Sequence, residues 1–122
     1  MNDGYTIQEI SKLIGLSIHT LRYYEKIGLI KPVRRNHSGY RCYTERDIAW
    51  IRFVNRLRTT GMPVKEMVSF AVYHGQGDRT IPERREMLQL HRQQVEKAII
   101  ELTSNLVAID EKIAFYLAKE SN

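Results

Sequence analysis

The side chains best suited to binding a polar ligand lie in one short segment, SIHTLRYYEKIG, which runs from Ser17 to Gly28. Its polar and basic side chains after the first residue include His19, Thr20, Arg22, Tyr23 and Lys26. Imidazole, hydroxyl, guanidinium and phenol groups hydrogen-bond phosphate oxygens and the edges of bases in a DNA major groove. The segment therefore predicts a surface able to contact nucleic acid. The same pattern also fits a solvated amphipathic helix, which needs no ligand.

Two signals bound this segment as a helix. The Ser17 hydroxyl can accept a hydrogen bond from a free backbone N–H of the first turn, and Gly28 can take the left-handed conformation that ends a helix. Ile18 and Leu21 lie at helical spacing and are expected to face a small core, which turns the polar side chains outward. Ser17 is itself a candidate DNA-contact residue.

Another helix is predicted immediately before this one. Thr6 and Glu9 have the spacing of a capping box, and Gly15 ends the helix. The apolar residues between these signals repeat at helical spacing: Ile7, Ile10, Leu13 and Ile14. Two helices joined by a short turn, the second with an exposed basic face, follow the order of a helix-turn-helix. An ordinary αα-hairpin gives the same pattern.

A short β-hairpin with a basic tip is predicted over residues 29–43, because turn-forming residues precede an alternating run. Its candidate contact residues are Arg34, Arg35, Tyr40 and Arg41. A basic hairpin that follows the second helix is a wing, and its arginines would lie over phosphates or a narrow groove. A solvated loop is the alternative.

A second helical pair is predicted next. Thr44 and Asp47 form another capping pattern, and Gly61 ends that helix. The expected apolar stripe consists of Ile48, Ile51, Phe53, Val54 and Leu57. Pro63 can open the following helix, which should reach about Tyr73. That helix is expected to bury Val64, Met67, Val68 and Ala71. Arg58 is predicted to point outward.

The chain resembles the MerR family of bacterial transcription regulators in three runs: YTIQEISKLIGLSIHTLRYYEKIGLI, GYRCYTERDIAWIRFV and LRTTGMPVKEM. These runs follow one another from Tyr5 to Met67. The resemblance implies a mainly α fold, with a winged helix-turn-helix DNA-binding domain, a helical pair and a long C-terminal dimerisation helix. It also implies that Arg58, just before the glycine turn, contacts a DNA phosphate. A surface arginine is the alternative.

A single long helix is predicted over residues 81–118, since no glycine or proline interrupts the chain after Pro82. Apolar residues recur in two rows that form a coiled-coil seam over the distal half. The candidate dimerisation residues are Leu88, Val95, Ile99, Leu102, Leu106, Ile109, Ile113 and Tyr116. Arg85 and Arg92 interrupt the second row in the proximal half.

A second copy of the chain is the expected cover for this seam, because a small domain cannot hide so long a helix. The resemblance implies an antiparallel coiled coil in a homodimer. A run of about 36 residues is roughly 54 Å long, enough to set two domains on successive major grooves, so the partner site should be an inverted repeat. A monomer with a folded-back tail is the alternative. The expected organisation is a DNA-binding domain at 1–74, a linker at 75–80 and the helix at 81–118.

Charge is concentrated in the first half of the chain. The first 60 residues carry 11 Lys or Arg against 5 Asp or Glu, a net charge of +6, whereas the remainder carries 8 against 9, a net charge of −1. A basic half of this kind is typical of a nucleic-acid-binding surface. A single Cys cannot form an internal disulfide, and no apolar run reaches the length of a membrane span. We therefore expect a cytoplasmic protein without a membrane partner.

Neither an enzyme nor a metal protein is expected. The chain lacks a G-x-S-x-G motif, a P-loop and an H-E-x-x-H motif. The family resemblance implies that a metal sensor has cysteines near the start of the long helix and at the end of the chain, and this chain has none there. His74 and His91 are too few and too far apart in sequence to predict a metal site. We expect no cofactor.

Cys42 is the one possible redox residue. The YHGQGDRT segment resembles the thiol- and aldehyde-responsive group of the family, whose sensing cysteine falls around Asn55 or Arg56, where this chain has no thiol. Cys42 follows Arg41 in a basic loop, and such a neighbour lowers the pKa of a thiol and favours attack on electrophiles. The favoured alternative is a small apolar residue on the wing.

The resemblance implies a mechanism in which the dimer bends and untwists a promoter whose spacer is too long, so that RNA polymerase finds its two elements aligned. Deforming a short duplex costs several kcal/mol, which added phosphate contacts must offset. A purely architectural or repressor role is an alternative within DNA binding. The alternative from another class is a coiled-coil adaptor that binds an acidic protein or RNA through its basic half.

Overall fold

A computed structural model describes residues 4–31, 37–39 and 42–122. The described residues form five helices: α1 (Ile7–Ile14), α2 (Ile18–Lys26), α3 (Glu45–Thr59), α4 (Val64–Gly75) and α5 (Ile81–Glu120). A single 3₁₀ turn, Gly77–Thr80, lies between α4 and α5. The chain divides into two compact units, Met1–Arg84 and Arg85–Asn122. The fold is mainly α, as the sequence predicts.

Helix α1 begins and ends where its capping signals lie. The Thr6 hydroxyl accepts from the Glu9 backbone N–H at 3.1 Å, and the Glu9 carboxylate accepts from the Thr6 N–H at 3.0 Å. Gly15 ends the helix in the left-handed conformation, with a φ of 80°. The predicted capping box is therefore confirmed, and two of the free N–H groups at the start of α1 are satisfied.

A short turn joins α1 to α2. The Ser11 hydroxyl donates to the Leu16 carbonyl at 2.6 Å, across the turn, and Ser17 caps α2 by accepting from the Thr20 N–H at 3.0 Å. Helix α2 ends at Lys26, and Gly28 follows with a φ of 89°. This conformation favours glycine, because a Cβ there is strained. The pair of helices has the order and the tight turn expected of a helix-turn-helix.

The backbone on either side of this pair is joined at one point. Tyr5 and Tyr43 form an antiparallel bridge in which each N–H donates to the other's carbonyl at 2.8 Å. Gly4 lies against this bridge with a φ of 96°, and a Cβ on it would come within 2.7 Å of the Tyr43 carbonyl oxygen. The bridge is the β-type pairing found within the described part of the chain. Seven of the fifteen residues of the predicted wing hairpin, 32–36 and 40–41, lie outside the described residues.

One small core joins the first four helices. Its buried apolar side chains come from these four helices and the segments that flank them: Ile7, Ile10, Leu21, Tyr24, Leu29, Ile30, Tyr43, Ile48, Ile51, Val54, Leu57, Met62, Met67 and Phe70. The expectation that Val64 is buried is wrong, since 38% of it is exposed, and Phe70 is buried instead. Phe70 packs between Trp50 and Phe53 of α3, with ring centroids 5.9 Å from each. An aromatic ring that reaches two others fills this space better than a valine at the helix end.

Loss of the α3 cap is expected to destabilise the first unit. The Thr44 hydroxyl accepts from the Asp47 N–H at 3.1 Å, and the Asp47 carboxylate accepts from the Thr44 N–H at 2.9 Å. Thr44→Ala removes the first of these bonds and should lower the free energy of unfolding by about 1 kcal/mol in a urea titration. Thr59→Ala, at the exposed end of α3, is the control and should change it by less than half as much.

Helix α5 is 40 residues long, about 60 Å at 1.5 Å per residue. None of its side chains is buried. Its side chains contact one another along the exposed surface of the helix. Arg92 forms an ion pair with Glu96 one turn later, and the Lys112 ammonium lies 5.7 Å from the ring centre of Phe115. None of the helices in the described ranges is long and apolar enough to cross a membrane.

Candidate nucleic-acid interface

The candidate interface centres on α2, which separates its side chains onto two faces. Leu21 and Tyr24 are buried, at 0% and 1% exposure, and hold the helix against the core. His19, Arg22 and Tyr23 are exposed on the other face. Tyr23 keeps 43% of its surface in solvent although its ring lies 6.3 Å from that of Tyr24. The structure thus presents an imidazole, a guanidinium and a phenol together on one open face.

Ser17 and Thr20 hold the first turn of α2. Besides capping the helix, the Ser17 hydroxyl donates to the Thr20 hydroxyl at 2.9 Å. Thr20 is half-buried and Ser17 is exposed. This pair fixes the start of the helix and keeps hydroxyl lone pairs at its N-terminal end, the end of a recognition helix that approaches base edges.

Arg22 and His19 are chemically available. Within the described part of the chain, neither side chain makes a hydrogen bond or an ion pair. An arginine fork without an acidic partner is suited to bidentate contact with phosphate or guanine. The arrangement of α2 therefore supplies the donors that groove recognition needs.

Arg58 lies at the end of α3 and is tied to α2 through Tyr24. Its Nη1 donates to the Tyr24 hydroxyl at 2.9 Å, and its guanidinium carbon lies 5.7 Å from the centre of the same ring. The hydrogen bond to Tyr24 raises the pKa of Arg58 above its ordinary value. Arg58 is exposed, so one edge of the fork is anchored while the rest faces solvent. Sequence reasoning missed Tyr24, whose position in the buried stripe gave the only signal.

Removing the Tyr24 hydroxyl should loosen Arg58 and weaken DNA binding. Tyr24→Phe keeps the buried ring but deletes the acceptor, which is expected to lower the free energy of unfolding by about 1 kcal/mol. If Arg58 contacts a phosphate, DNA affinity at fixed salt should fall by about threefold to tenfold, because the fork is no longer held in place. Fluorescence anisotropy with a labelled duplex and urea unfolding measure the two effects. Tyr73→Phe on α4 is the matched control and should leave affinity unchanged.

The candidates on the wing lie outside the described residues. These are Arg34, Arg35, Tyr40 and Arg41. Cys42, the possible redox residue, is described and is half-buried next to the Tyr5–Tyr43 bridge. The proposed contacts of the wing therefore stay predictions from the sequence.

The predicted dimerisation residues fall on one long helix. Leu88 and Val95 are half-buried, whereas the distal members of the seam expose between 51% and 67% of their surface. The distal members are Ile99, Leu102, Leu106, Ile109, Ile113 and Tyr116. A continuous exposed row of large apolar side chains is typical of an interaction surface.

Within residues 4–31, 37–39 and 42–122, no group of three His, Cys, Asp or Glu side chains is placed to hold a metal ion. His74 stacks on Trp50 instead, with ring centroids 4.0 Å apart and planes 19° from parallel. Burial lowers the pKa of His74, and the positive charges of Arg84 and Lys31 lower it further.

Comparison of the sequence with known families gives two overlapping matches. Residues 5–68 match the family described as MerR HTH family regulatory protein, and residues 48–112 match the family described as MerR, DNA binding. The chain is 40% identical over 89 residues to the HTH-type transcriptional regulator AdhR of Bacillus subtilis strain 168, a match that covers 73% of this chain and 64% of that protein. It is 37% identical over 112 residues to an uncharacterized HTH-type transcriptional regulator of Haemophilus influenzae, with coverage of 92% and 83%.

Solved structures give the same result. The fold is similar to that of HiNmlR, described as a MerR family regulator lacking the sensor domain, bound to promoter DNA. The TM-score is 0.88 at 35% identity, over 96% of this chain and 93% of that chain. The fold is less similar to that of EcmrR in the EcmrR–DNA complex of EcmrR-RPo. There the TM-score is 0.56 at 28% identity, over 89% of this chain and 38% of that chain.

Proposed function

This chain belongs to the MerR family of helix-turn-helix transcription regulators, which bind DNA, and from that premise we propose that it acts as a homodimer on an inverted-repeat promoter site. In this proposal α2 of each copy enters a major groove. The observation that carries the proposal is the open face of α2, where Arg22 and Tyr23 stand beside His19. The similarity to HiNmlR, a regulator bound to promoter DNA, supports a promoter as the target.

The homodimer is supported by the apolar seam of α5. Six large side chains of the distal seam each expose more than half of their surface, although water is their least favourable environment. A second copy in antiparallel orientation would cover them and set the two DNA-binding units apart. A helix of about 60 Å exceeds the roughly 34–36 Å between successive major grooves on one face of B-DNA, which leaves length for the overlap of the two helices.

Promoter activation by DNA distortion is the proposed mechanism. Bending and untwisting an overlong spacer would bring its two polymerase elements onto one face, and the cost of several kcal/mol would be offset by phosphate contacts at both half-sites. Arg58 and the wing arginines are the proposed sources of those contacts. RNA polymerase is then the second partner, an assignment that the similarity to EcmrR in EcmrR-RPo supports.

Selection from a random duplex pool tests the proposal, because the bound sequences themselves reveal the operator. The selected sites should contain an inverted repeat whose half-sites are occupied by one dimer. Fluorescence energy transfer between dyes at the ends of a selected duplex should then report a bend when the protein binds. A single half-site bound by one chain, or equal affinity for RNA and duplex DNA, would contradict the proposal, because groove recognition requires the B-form major groove.

A further inference from the structure

A cavity of about 230 Å³ lies within the first unit, beside the segment that leaves α2. Leu29 and Lys31 contribute from that segment, Arg46 and Trp50 from α3, and His74 from α4. Engineered cavities of about 150 Å³ hold benzene, whereas pockets for drug-sized ligands run from about 300 Å³ upward. The cavity therefore has room for one ring with a small substituent.

Positive charge outweighs negative charge around this cavity. Lys31 and Arg46 line it, and neither makes a hydrogen bond or an ion pair within the described ranges. The Lys31 ammonium lies at the C-terminal end of α4, where a Cβ on Gly75 would be 4.0 Å from its Nζ. Asp47 is the acidic residue of the lining, and its carboxylate already accepts from the Thr44 N–H at the start of α3. The lining thus has two cations available for one anionic group.

Aromatic groups supply the other half of the site. Trp50 stacks with His74 at 4.0 Å, and its indole Nε1 donates to the Leu29 carbonyl at 2.8 Å, so the ring system is held in a fixed orientation. Leu29, Ile30 and Ala71 add apolar surface. A planar apolar ring packs well against such an aromatic pair.

We propose that this cavity binds a small aromatic monocarboxylate, with the ring against Trp50 and His74 and the carboxylate between Lys31 and Arg46. The size of the cavity selects a single ring, and the pair of cations selects an anion. A guanidinium and an ammonium on one carboxylate give charge-assisted hydrogen bonds, which are about twice as strong as neutral ones.

A ligand in this position would serve as an effector of the regulator. Trp50 donates to the Leu29 carbonyl, which lies three residues beyond the end of α2. A ligand in the cavity would therefore contact the segment that leads from α2 to the predicted wing. The effector role rests on the proposed function, whereas the binding of the ligand does not.

The single tryptophan of the chain makes the site directly observable. Benzoate is the probe, titrated into ¹⁵N-labelled protein without DNA while the one indole N–H resonance, that of Trp50, is followed. We expect a saturable shift of this resonance. In the Lys31→Met and Arg46→Met double variant, the dissociation constant should rise about tenfold or more, because charged hydrogen bonds are lost. Lys97→Met, on α5, is the matched control and should bind benzoate as the parent does.

Two further probes define the outcomes that overturn the inference. Benzyl alcohol has the ring without the charge, and inorganic phosphate at matched ionic strength has the charge without the ring. Both should bind at least about tenfold more weakly than benzoate. Equal shifts with benzyl alcohol, a phosphate affinity that matches that of benzoate, an unaltered double variant or the absence of saturation would each overturn the proposal. Because this titration contains no DNA, its failure is distinct from failure of the selected duplex to bind.

Discussion

Replacing Arg22 with alanine should abolish sequence-specific DNA binding while leaving the fold and the oligomeric state intact. Arg22 is exposed on α2 and makes no contact that holds the core together in the described part of the chain. A bidentate contact between arginine and guanine provides about 1–3 kcal/mol of discrimination, and a homodimer uses it twice. We therefore expect the affinity for a selected duplex to fall by about 100-fold or more at fixed salt.

Anisotropy titrations of the parent and the Arg22→Ala variant against selected and scrambled duplexes provide the measurement. The affinity for the scrambled duplex should fall far less, because non-specific binding depends on the total charge. Lys97→Ala removes one positive charge from α5 instead and serves as the control. If the variant keeps the parent's preference for the selected duplex, α2 is not the element that recognises bases.

Ile109→Glu should convert the proposed homodimer into monomers. Ile109 exposes 56% of its surface in the single chain and lies in the middle of the distal seam, between Leu106 and Ile113. Burying an isoleucine contributes about 1.5–3 kcal/mol, the dimer buries two copies, and a glutamate in the seam adds the cost of an uncompensated charge. We expect the dissociation constant of the dimer to rise by about 100-fold or more.

Sedimentation equilibrium measures this change directly, and circular dichroism should show lost helix, since an exposed amphipathic helix depends on tertiary packing. Ser104→Glu introduces the same charge on α5 as a control. Ser104 lies two residues from both Leu102 and Leu106, about 200° around the helix from each, and therefore away from the seam. The seam assignment is wrong if both variants remain dimers, or if Ser104→Glu dissociates as readily as Ile109→Glu.

Local signals in the sequence predicted most of the helical plan. The caps at Thr6, Ser17 and Thr44 each depend on hydrogen bonds that span three residues, so residue types and spacing suffice to locate them. The glycines at the ends of α1 and α3 act through their own backbone conformation. The exposed face of α2 followed from the same periodicity, because burial of Leu21 leaves the side of Arg22 and Tyr23 in solvent.

The contacts that complete the site join residues distant in sequence, and no short pattern encodes them. Arg58 reaches Tyr24 across 34 positions, and Trp50 reaches the Leu29 carbonyl across 21. The error at Val64 has the same origin, since periodicity alone does not show that Phe70 can reach two rings of α3. Periodicity identifies the face of a helix, whereas partner choice depends on tertiary packing.

The paired hydrogen bonds between Tyr5 and Tyr43 fasten the residue before the α1 cap to the residue before the α3 cap. Gly4 permits this close backbone approach, since a Cβ there would lie 2.7 Å from the Tyr43 carbonyl oxygen. Helices α1 and α2 bury Ile10 and Leu21 in the same core as Ile51 of α3. The helix-turn-helix therefore cannot be grafted alone onto another regulator: a transplant has to carry the α3 residues that pack on it.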